Sequence, residues 1–172
     1  RTALEMQRED LLPFRRAMAA GVAGVMTAHV SYPAWIGAGD APASISSPLL
    51  GTILRDALGF EGLVITDAIQ MRGLGDGLDA GELAVRAILA GADIVLAPAP
   101  LERDSVFRSI REAIRSGRLS PERVERTLAR VRTARAKART ESAACRTVEN
   151  VAEEIARTAI TRIGGAPPMD PH

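Results

Sequence analysis

The stretch Gly59-Phe60-Glu61-Gly62-Leu63-Val64-Ile65-Thr66-Asp67-Ala68-Ile69-Gln70-Met71 decides the fold. In this stretch a glycine ends a helix, an apolar and β-branched run follows, and Asp67 comes directly after that run. Such runs are typical of strands in parallel sheets that are covered on both faces, and ligands bind at the carboxyl ends of those strands. We therefore interpret Asp67 as a catalytic carboxylate. The alternative is a helix N-cap for the segment after the strand.

The same order of helix, glycine and strand occurs at three places. The glycines and the apolar residues that follow them are Gly21 and Val25, Gly59 and Leu63, and Gly91 and Ile94. Glycine adopts the left-handed conformation that ends many helices, and units of about 30 to 40 residues match the βα units of a parallel sheet or barrel. The predicted fold class is α/β: the last three βα units of a partial (β/α)8 TIM barrel, followed by C-terminal helices.

The domain and helix boundaries follow from capping residues, prolines and glycines. We expect residues 1–140 to form the C-terminal part of the barrel and residues 141–172 to be a helix and a linker towards a second domain. The first helix is expected at residues 8–20 with Asp10 as its N-cap, and the next begins with Ser47 as N-cap. Residues 72–80 are predicted to be a glycine-rich loop without a phosphate-binding motif. A later helix is predicted at 81–90. The chain is predicted to be helical from residue 102, with the apolar spacing in 105–116, and further helices follow after the N-cap Ser120 and at 147–163.

Composition excludes several classes of protein. With 47% hydrophobic residues among 172 and a net charge of +1, the chain suits a domain with a core and no general excess of basic charge. Residues 102–139 carry twelve basic and five acidic residues. We interpret them as an exposed helix face, because the segment has a single aromatic residue, Phe107, and no nucleic-acid reader module. No apolar run is long enough for a membrane span. The sequence does not begin with Met, and the compartment is left open.

Metal and disulfide chemistry is also restricted. Cys145 is the one cysteine, so an intrachain disulfide or a cysteine zinc cluster is excluded. The ionisable groups expected at the carboxyl ends of strands are His29 and Asp67, with Asp40, Asp76 and Asp79 on the loops that follow. This set suits acid–base or nucleophilic chemistry, and we predict no cofactor and no metal site.

Four motifs in residues 9–98 occur in an order and spacing that are known from one enzyme family. They are Asp10-Leu-Leu-Pro-Phe14, Val25-Met-Thr-Ala-His-Val-Ser-Tyr-Pro-Ala34, Pro42-Ala-Ser-Ile-Ser46 and Thr66-Asp-Ala-Ile-Gln-Met71. The sequence resembles glycoside hydrolase family 3, and in particular its β-N-acetylhexosaminidase branch. Residues 102–139 resemble the helices that close the barrel of that family.

The resemblance implies a retaining glycosidase that acts on β-linked N-acetylhexosaminides. Asp67 matches the family's nucleophile, which forms a covalent glycosyl ester that water then hydrolyses. His29 and Met71 are the predicted substrate-binding residues; the alternatives are a buried histidine bonded to backbone for His29 and core packing for Met71. A nucleophile that stays ionised needs donors or cations around it. Thr66 and His29 are candidates, with arginines from strands outside this chain.

The sequence also departs from the family pattern. In that branch the general acid/base is a histidine paired with an aspartate, and it lies upstream of the position of Asp10, as does a Lys-His and Gly-His-Gly sugar-binding motif; neither occurs here. Ala68 replaces the second aspartate of the nucleophile motif. We therefore expect the full-length protein to be active and this chain alone to be inactive. The expected partner is a carbohydrate, a β-N-acetylglucosaminide derived from peptidoglycan or chitin, and no nucleic acid.

Other functions remain as alternatives. They are a β-glucosidase-type specificity, phosphate in place of water as the acceptor, and a catalytically silent βα domain that binds a partner. The segment Met26-Thr-Ala-His29 favours the N-acetyl branch. The β-glucosidases of the family more often carry Ser-Tyr-Asn near that point and Ser-Asp-Trp around the nucleophile.

Overall fold

A computed structural model of the chain describes residues 2–37, 41–71 and 79–141. The chain divides into two compact units, residues 1–136 and 137–172. The predicted helix at 147–163 and most of the predicted loop at 72–80 lie outside the described residues. In the described part no helix combines the length and the apolar character that crossing a membrane requires.

Helices make up most of the described chain. Residues Met6–Asp10 and Pro48–Ala57 are π-helical, and Ala43–Ile45 forms a 3₁₀ turn. The α-helices are α1 Ala3–Glu5, α2 Leu12–Ala19, α3 Pro33–Ile36, α4 Ala80–Ala90, α5 Pro100–Arg115 and α6 Pro121–Glu141.

The strands of the described residues form one parallel sheet in the order β1, β2, β3. Their bounds are Gly24–Met26 for β1, Leu63–Ala68 for β2 and Ile94–Leu96 for β3. Each strand lies at a predicted position, and this confirms the α/β class and the parallel arrangement. The glycines before them, Gly21, Gly59 and Gly91, have φ angles of 82°, 65° and 131°, so each takes the left-handed conformation that its role at a helix end requires.

Two predicted helix starts are wrong. The first helical segment begins at Ala3, where the Thr2 hydroxyl accepts from the Glu5 amide and the Glu5 carboxylate accepts from the Thr2 amide. This capping box starts the helix seven residues before the residue given as N-cap, and Asp10 lies inside the helical segment. Ser47 has helical backbone angles and makes no capping bond. The Leu49 amide instead donates to Ser46 Oγ at 3.5 Å.

The core lies between β2 and the helices that flank it in sequence. Leu50 and Leu54 from the Pro48–Ala57 helix pack with Val64 of β2 and Ala87 of α4. Next to them, buried residues of α4 pack against α5, among them Leu83 and Val106. The core thus fixes β2 against α4 and the Pro48–Ala57 helix, and it holds the carboxyl end of β2 in place between the other two strands.

The amino end of the sheet is fixed by one aspartate. Asp93 precedes β3 and has a fully buried side chain, with Arg55 at 2.7 Å, Arg130 at 3.2 Å and Arg123 at 3.6 Å. Its Oδ2 also accepts from the Val64 amide at 3.1 Å. Burial lowers the pKa of the Arg55 and Arg123 guanidinium groups, and the charge of Asp93 acts in the opposite direction. This cluster joins β2, β3, α6 and the Pro48–Ala57 helix.

Candidate active site

Asp67 lies near the carboxyl end of β2, where the strand departs from regular pairing. Ile65 pairs with Ile94 and Ala68 with Leu96, so three steps along β2 face two steps along β3. The extra residue is a bulge of the kind that redirects side chains beside active sites. Asp67 is partly exposed, and its Oδ1 accepts from the Ala68 amide at 2.7 Å.

Thr66 compensates for the irregular pairing. Its side chain is fully buried, and its hydroxyl oxygen accepts from the Leu96 amide at 3.0 Å. The Ile69 amide then donates to the Leu96 carbonyl at 3.0 Å, which restores backbone pairing beyond the bulge. Because a buried N–H without an acceptor is costly, the Thr66 hydroxyl stabilises the distorted end of the strand.

His29 follows β1 and reaches the same end of the sheet. Its Nδ1 lies 2.7 Å from Ser44 Oγ, and its Nε2 lies 3.0 Å from the Ala68 carbonyl oxygen. The Thr27 hydroxyl donates to Ser44 Oγ at 3.1 Å, and Ser44 Oγ lies 3.0 Å from the Ala28 carbonyl oxygen. We call Thr27, Ser44, His29 and the Ala68 carbonyl the His29 network.

The turn after Asp67 is held at its first carbonyl. The Ala68 oxygen accepts from the Met71 amide at 3.0 Å, in addition to the His29 ring. Met71 is 49% exposed, so its side chain is not part of the core that the described residues form.

Two of the donors expected for the Asp67 carboxylate, Thr66 and His29, are not the ones observed in this chain. The Thr66 oxygen accepts from the Leu96 amide, and His29 bonds to the Ala68 carbonyl and not to Asp67. The donor in the described structure is the Ala68 amide. This bond joins neighbouring residues and does not cap a helix, so the N-cap alternative for Asp67 does not fit the geometry.

The His29 geometry bears on its predicted role. Both ring nitrogens have protein partners, and this matches the alternative of a partly buried histidine bonded to backbone. A sugar contact through His29 requires its ring face or an exchange of partners. The roles of His29 and Met71 in binding sugar stay predictions.

Not all of the loop aspartates are placed at the carboxyl end of the sheet. Asp79 is the N-cap of α4: its Oδ1 accepts from the Gly81 amide at 2.8 Å and from the Ser105 hydroxyl at 2.7 Å. The Gly81 bond is the main reason why the pKa of Asp79 lies below its ordinary value. Asp40 and Asp76 lie outside the described residues. Among the described residues no group of three or more His, Cys, Asp or Glu side chains could bind a metal ion.

The buried Ser44, which supports His29 at the carboxyl end of the sheet, is not predicted as a functional residue from the sequence. Ser44 is fully buried, and it was seen only as part of the Pro42–Ser46 motif. Its partner His29 is fifteen residues away in sequence. A small polar residue in a short segment between two proline-containing turns was the available signal, but its partner could not be chosen without the fold.

Comparison with known proteins identifies the family. The model of the glycosyl hydrolase family 3 N-terminal domain matches residues 1–134. A β-N-acetylglucosaminidase/β-glucosidase of Cellulomonas fimi is 37% identical over 126 residues, which cover 69% of this chain and 22% of that protein. A β-hexosaminidase of Chromobacterium violaceum is 37% identical over 111 residues, which cover 64% of this chain and 30% of that protein.

A solved structure agrees with these relatives. The family 3 β-N-acetylglucosaminidase of Paenibacillus sp. FPU-7 matches with a TM-score of 0.76 and 34% identity, covering 86% of this chain and 28% of that one. The chain therefore belongs to glycosyl hydrolase family 3, and the resemblance predicted from the motifs is confirmed. It spans about a quarter of the length of these relatives.

Proposed function

We propose that the full-length protein is a retaining glycoside hydrolase of β-linked N-acetylhexosaminides, with Asp67 as nucleophile. The observation that carries this proposal is the position of Asp67: a partly exposed carboxylate beside a bulge near the carboxyl end of a parallel strand. That end of the strands is where the enzymes with this kind of fold place their catalytic residues. The printed names of the relatives support the N-acetyl substrate class.

In the proposed reaction the Asp67 carboxylate attacks the anomeric carbon. The bond to the leaving group breaks as a general acid protonates its oxygen, and a glycosyl ester forms on Asp67. Water, deprotonated by the same group, then cleaves the ester and frees the carboxylate. The acid/base residue has to lie about 5 Å from the nucleophile, and we assign it to sequence outside this chain. On this proposal the isolated chain is inactive.

The fold proposal has the same basis. We interpret the helix–strand units as the last three of a (β/α)8 barrel, with residues 1–140 in the barrel and residues 141–172 as the connection to a further domain. The parallel order β1, β2, β3 and the left-handed glycines before each strand support this interpretation.

The test is hydrolysis of 4-nitrophenyl N-acetyl-β-glucosaminide by the full-length protein. Asp67→Ala is expected to lower kcat by at least about 1,000-fold, the scale of loss when a nucleophile is removed. Asp56→Ala is the matched control, because Asp56 is an exposed aspartate of the Pro48–Ala57 helix. Turnover by Asp67→Ala close to that of the wild type would exclude Asp67 as nucleophile and favour a silent βα domain.

A second specificity is favoured by one observation. The Cellulomonas fimi relative is named for both N-acetylglucosaminidase and β-glucosidase activity. The ratio of kcat/KM for the 4-nitrophenyl N-acetylglucosaminide and glucoside decides between them. We expect the N-acetyl substrate to be preferred, and a ratio below one would assign the protein to the glucosidase alternative.

A further inference from the structure

Ala68 is bonded through both of its backbone polar groups by the groups around Asp67. Its amide donates to Asp67 Oδ1 at 2.7 Å. Its carbonyl oxygen lies 3.0 Å from His29 Nε2. The position of the Asp67 carboxylate and the position of the His29 ring are therefore coupled through a single residue.

The carbonyl partner of His29 Nε2 shows that this nitrogen carries a hydrogen. A carbonyl oxygen only accepts, so His29 Nε2 must carry a hydrogen to bond Ala68. Nδ1 lies 2.7 Å from the Ser44 oxygen, and the one hydrogen of that hydroxyl has two acceptors within reach, Nδ1 and the Ala28 carbonyl oxygen at 3.0 Å. Thr27 holds the Ser44 oxygen in place, because its own hydroxyl donates to that oxygen at 3.1 Å.

The two hydroxyl groups of the His29 network are buried. Ser44 is fully buried and Thr27 is 8% exposed, so neither hydroxyl has ready access to solvent as a substitute partner. The ring is thus fixed on its Nδ1 side by buried groups and directs Nε2–H at the carbonyl oxygen of Ala68, the residue after Asp67. This is the pattern in which a supporting group orients a reacting one.

We propose that His29 is a positioning residue for Asp67: its Nε2–H fixes the Ala68 carbonyl and with it the backbone of Ala68, and the Ala68 amide fixes the carboxylate of Asp67. This inference rests on the proposed function, since it concerns the same nucleophile. It gives His29 a role different from sugar contact. The Ala68 carbonyl accepts from His29 and from the Met71 amide, so loss of the His29 bond leaves the Met71 amide as its donor. The Asp67 carboxylate can then move away from the position in which it attacks the anomeric carbon.

The experiment compares His29→Gln with His29→Asn in the full-length protein. The longer Gln amide reaches the Ala68 carbonyl with an N–H, whereas the shorter Asn amide reaches Ser44 and not Ala68. We expect His29→Asn to lower kcat about 100-fold, the cost of misplacing a reacting group by about 1 Å, with KM changed by less than about twofold. We expect His29→Gln to keep most of the wild-type kcat. Ser47→Ala, an exposed serine, is the control for Ser44→Ala, which is expected to resemble His29→Asn.

Several results would overturn the proposal. Equal kcat for the Gln and Asn variants would show that the bond to Ala68 is not used. A raised KM with unchanged kcat would assign His29 to sugar binding. Independently of activity, ¹⁵N NMR of the histidine rings is expected to show hydrogen on Nε2 in the neutral state of His29, and hydrogen on Nδ1 alone would contradict the network even if a variant fails to fold.

The outcome for Asp67 separates the two proposals. If Asp67→Ala is inactive and His29→Asn has wild-type kcat, only the positioning role is wrong. If Asp67→Ala is active, the proposed nucleophile is wrong, and the NMR result still decides whether the His29 network exists.

Discussion

An aspartate lies at each end of the sheet, and the surroundings of the two aspartates are opposite. Asp93, before β3, is fully buried and faces three arginines. Asp67, near the far end of β2, is partly exposed, and in the described structure its bond comes from the neighbouring amide. A buried charge has to be compensated by partners, whereas a nucleophile needs free lone pairs. In this chain the surroundings, and not the residue type, separate a stabilising carboxylate from the one that we propose as nucleophile.

The largest effect is expected from removing the buried aspartate. Asp93→Ala leaves three guanidinium groups without their common partner and should cost about 3–5 kcal/mol in the free energy of unfolding. Thermal unfolding of the full-length protein measures it, with Asp56→Ala as the exposed control. Asp67→Ala should change that free energy by less than about 0.5 kcal/mol. A large loss of stability in Asp67→Ala, or none in Asp93→Ala, would break the comparison between the two ends.

A smaller effect is expected at the bulge. Thr66→Val keeps the side-chain shape but removes the acceptor of the Leu96 amide, which should cost about 1–3 kcal/mol. Thr66→Ser keeps the hydroxyl and loses a buried methyl group, at about 1 kcal/mol.

Hydrogen exchange separates these two variants better than stability does. The Leu96 amide is expected to exchange faster in Thr66→Val and at the wild-type rate in Thr66→Ser. Unchanged exchange in Thr66→Val would mean that the bulge is held by other contacts, and the reactive end of the sheet would then be less dependent on Thr66 than the structure indicates.

The smallest effect concerns a third carboxylate, on the helical surface. Glu82 bonds Arg118 through both oxygens at 2.6 Å and Arg86 at 2.8 Å. The Arg118 bonds, followed by the Arg86 bond, lower its pKa from 4.5 to about 2. Because the folded-state pKa is depressed, the stabilisation is present above about pH 4.5 and is lost as the pH falls towards 2.

Glu82→Gln tests this on the surface. After solvent screening we expect a loss of about 0.5–1 kcal/mol at pH 7. The difference between the variant and the wild type should shrink below pH 4.5, where the unfolded carboxyl takes up its proton. Urea unfolding at pH 7 and at lower pH measures it, with Glu125→Gln, an exposed glutamate of α6, as control. A difference that grows as the pH falls would contradict the sign of the pKa shift.

The parts of the fold that depend on local pattern could be predicted. Gly59 and Gly91 mark helix ends because only their left-handed φ angles allow the chain to turn into a strand. Asp67 could be selected because an acidic residue at the end of an apolar run has few structural explanations. The start of the first helix was equally local, since Thr2 and Glu5 form a capping box, but the proline and aspartate further along were given more weight.

What depends on distant partners could not be predicted. Asp93 was seen only as one residue of the third strand, although its partners Arg55 and Arg130 are 38 and 37 residues away. Thr66 and His29 are wrong as donors to Asp67 for a similar reason. His29 and Thr66 are close to Asp67 at the end of the sheet, but their hydrogen bonds are taken by Ala68 and Leu96, and only the tertiary pairing decides this.

The bulge makes the position of Asp67 depend on the length of the strand as well as on its residues. Between Ile65 and Ala68 the chain has one residue more than the opposing segment of β3. A three-nucleotide deletion of the Thr66 codon would allow regular pairing, and alternation along the strand would then move Asp67 into the buried position of Thr66. The reading frame would be kept and no substitution would be introduced, yet a methyl group would occupy the place of the carboxylate. In this segment, insertions and deletions are therefore a more severe class of mutation than most single substitutions.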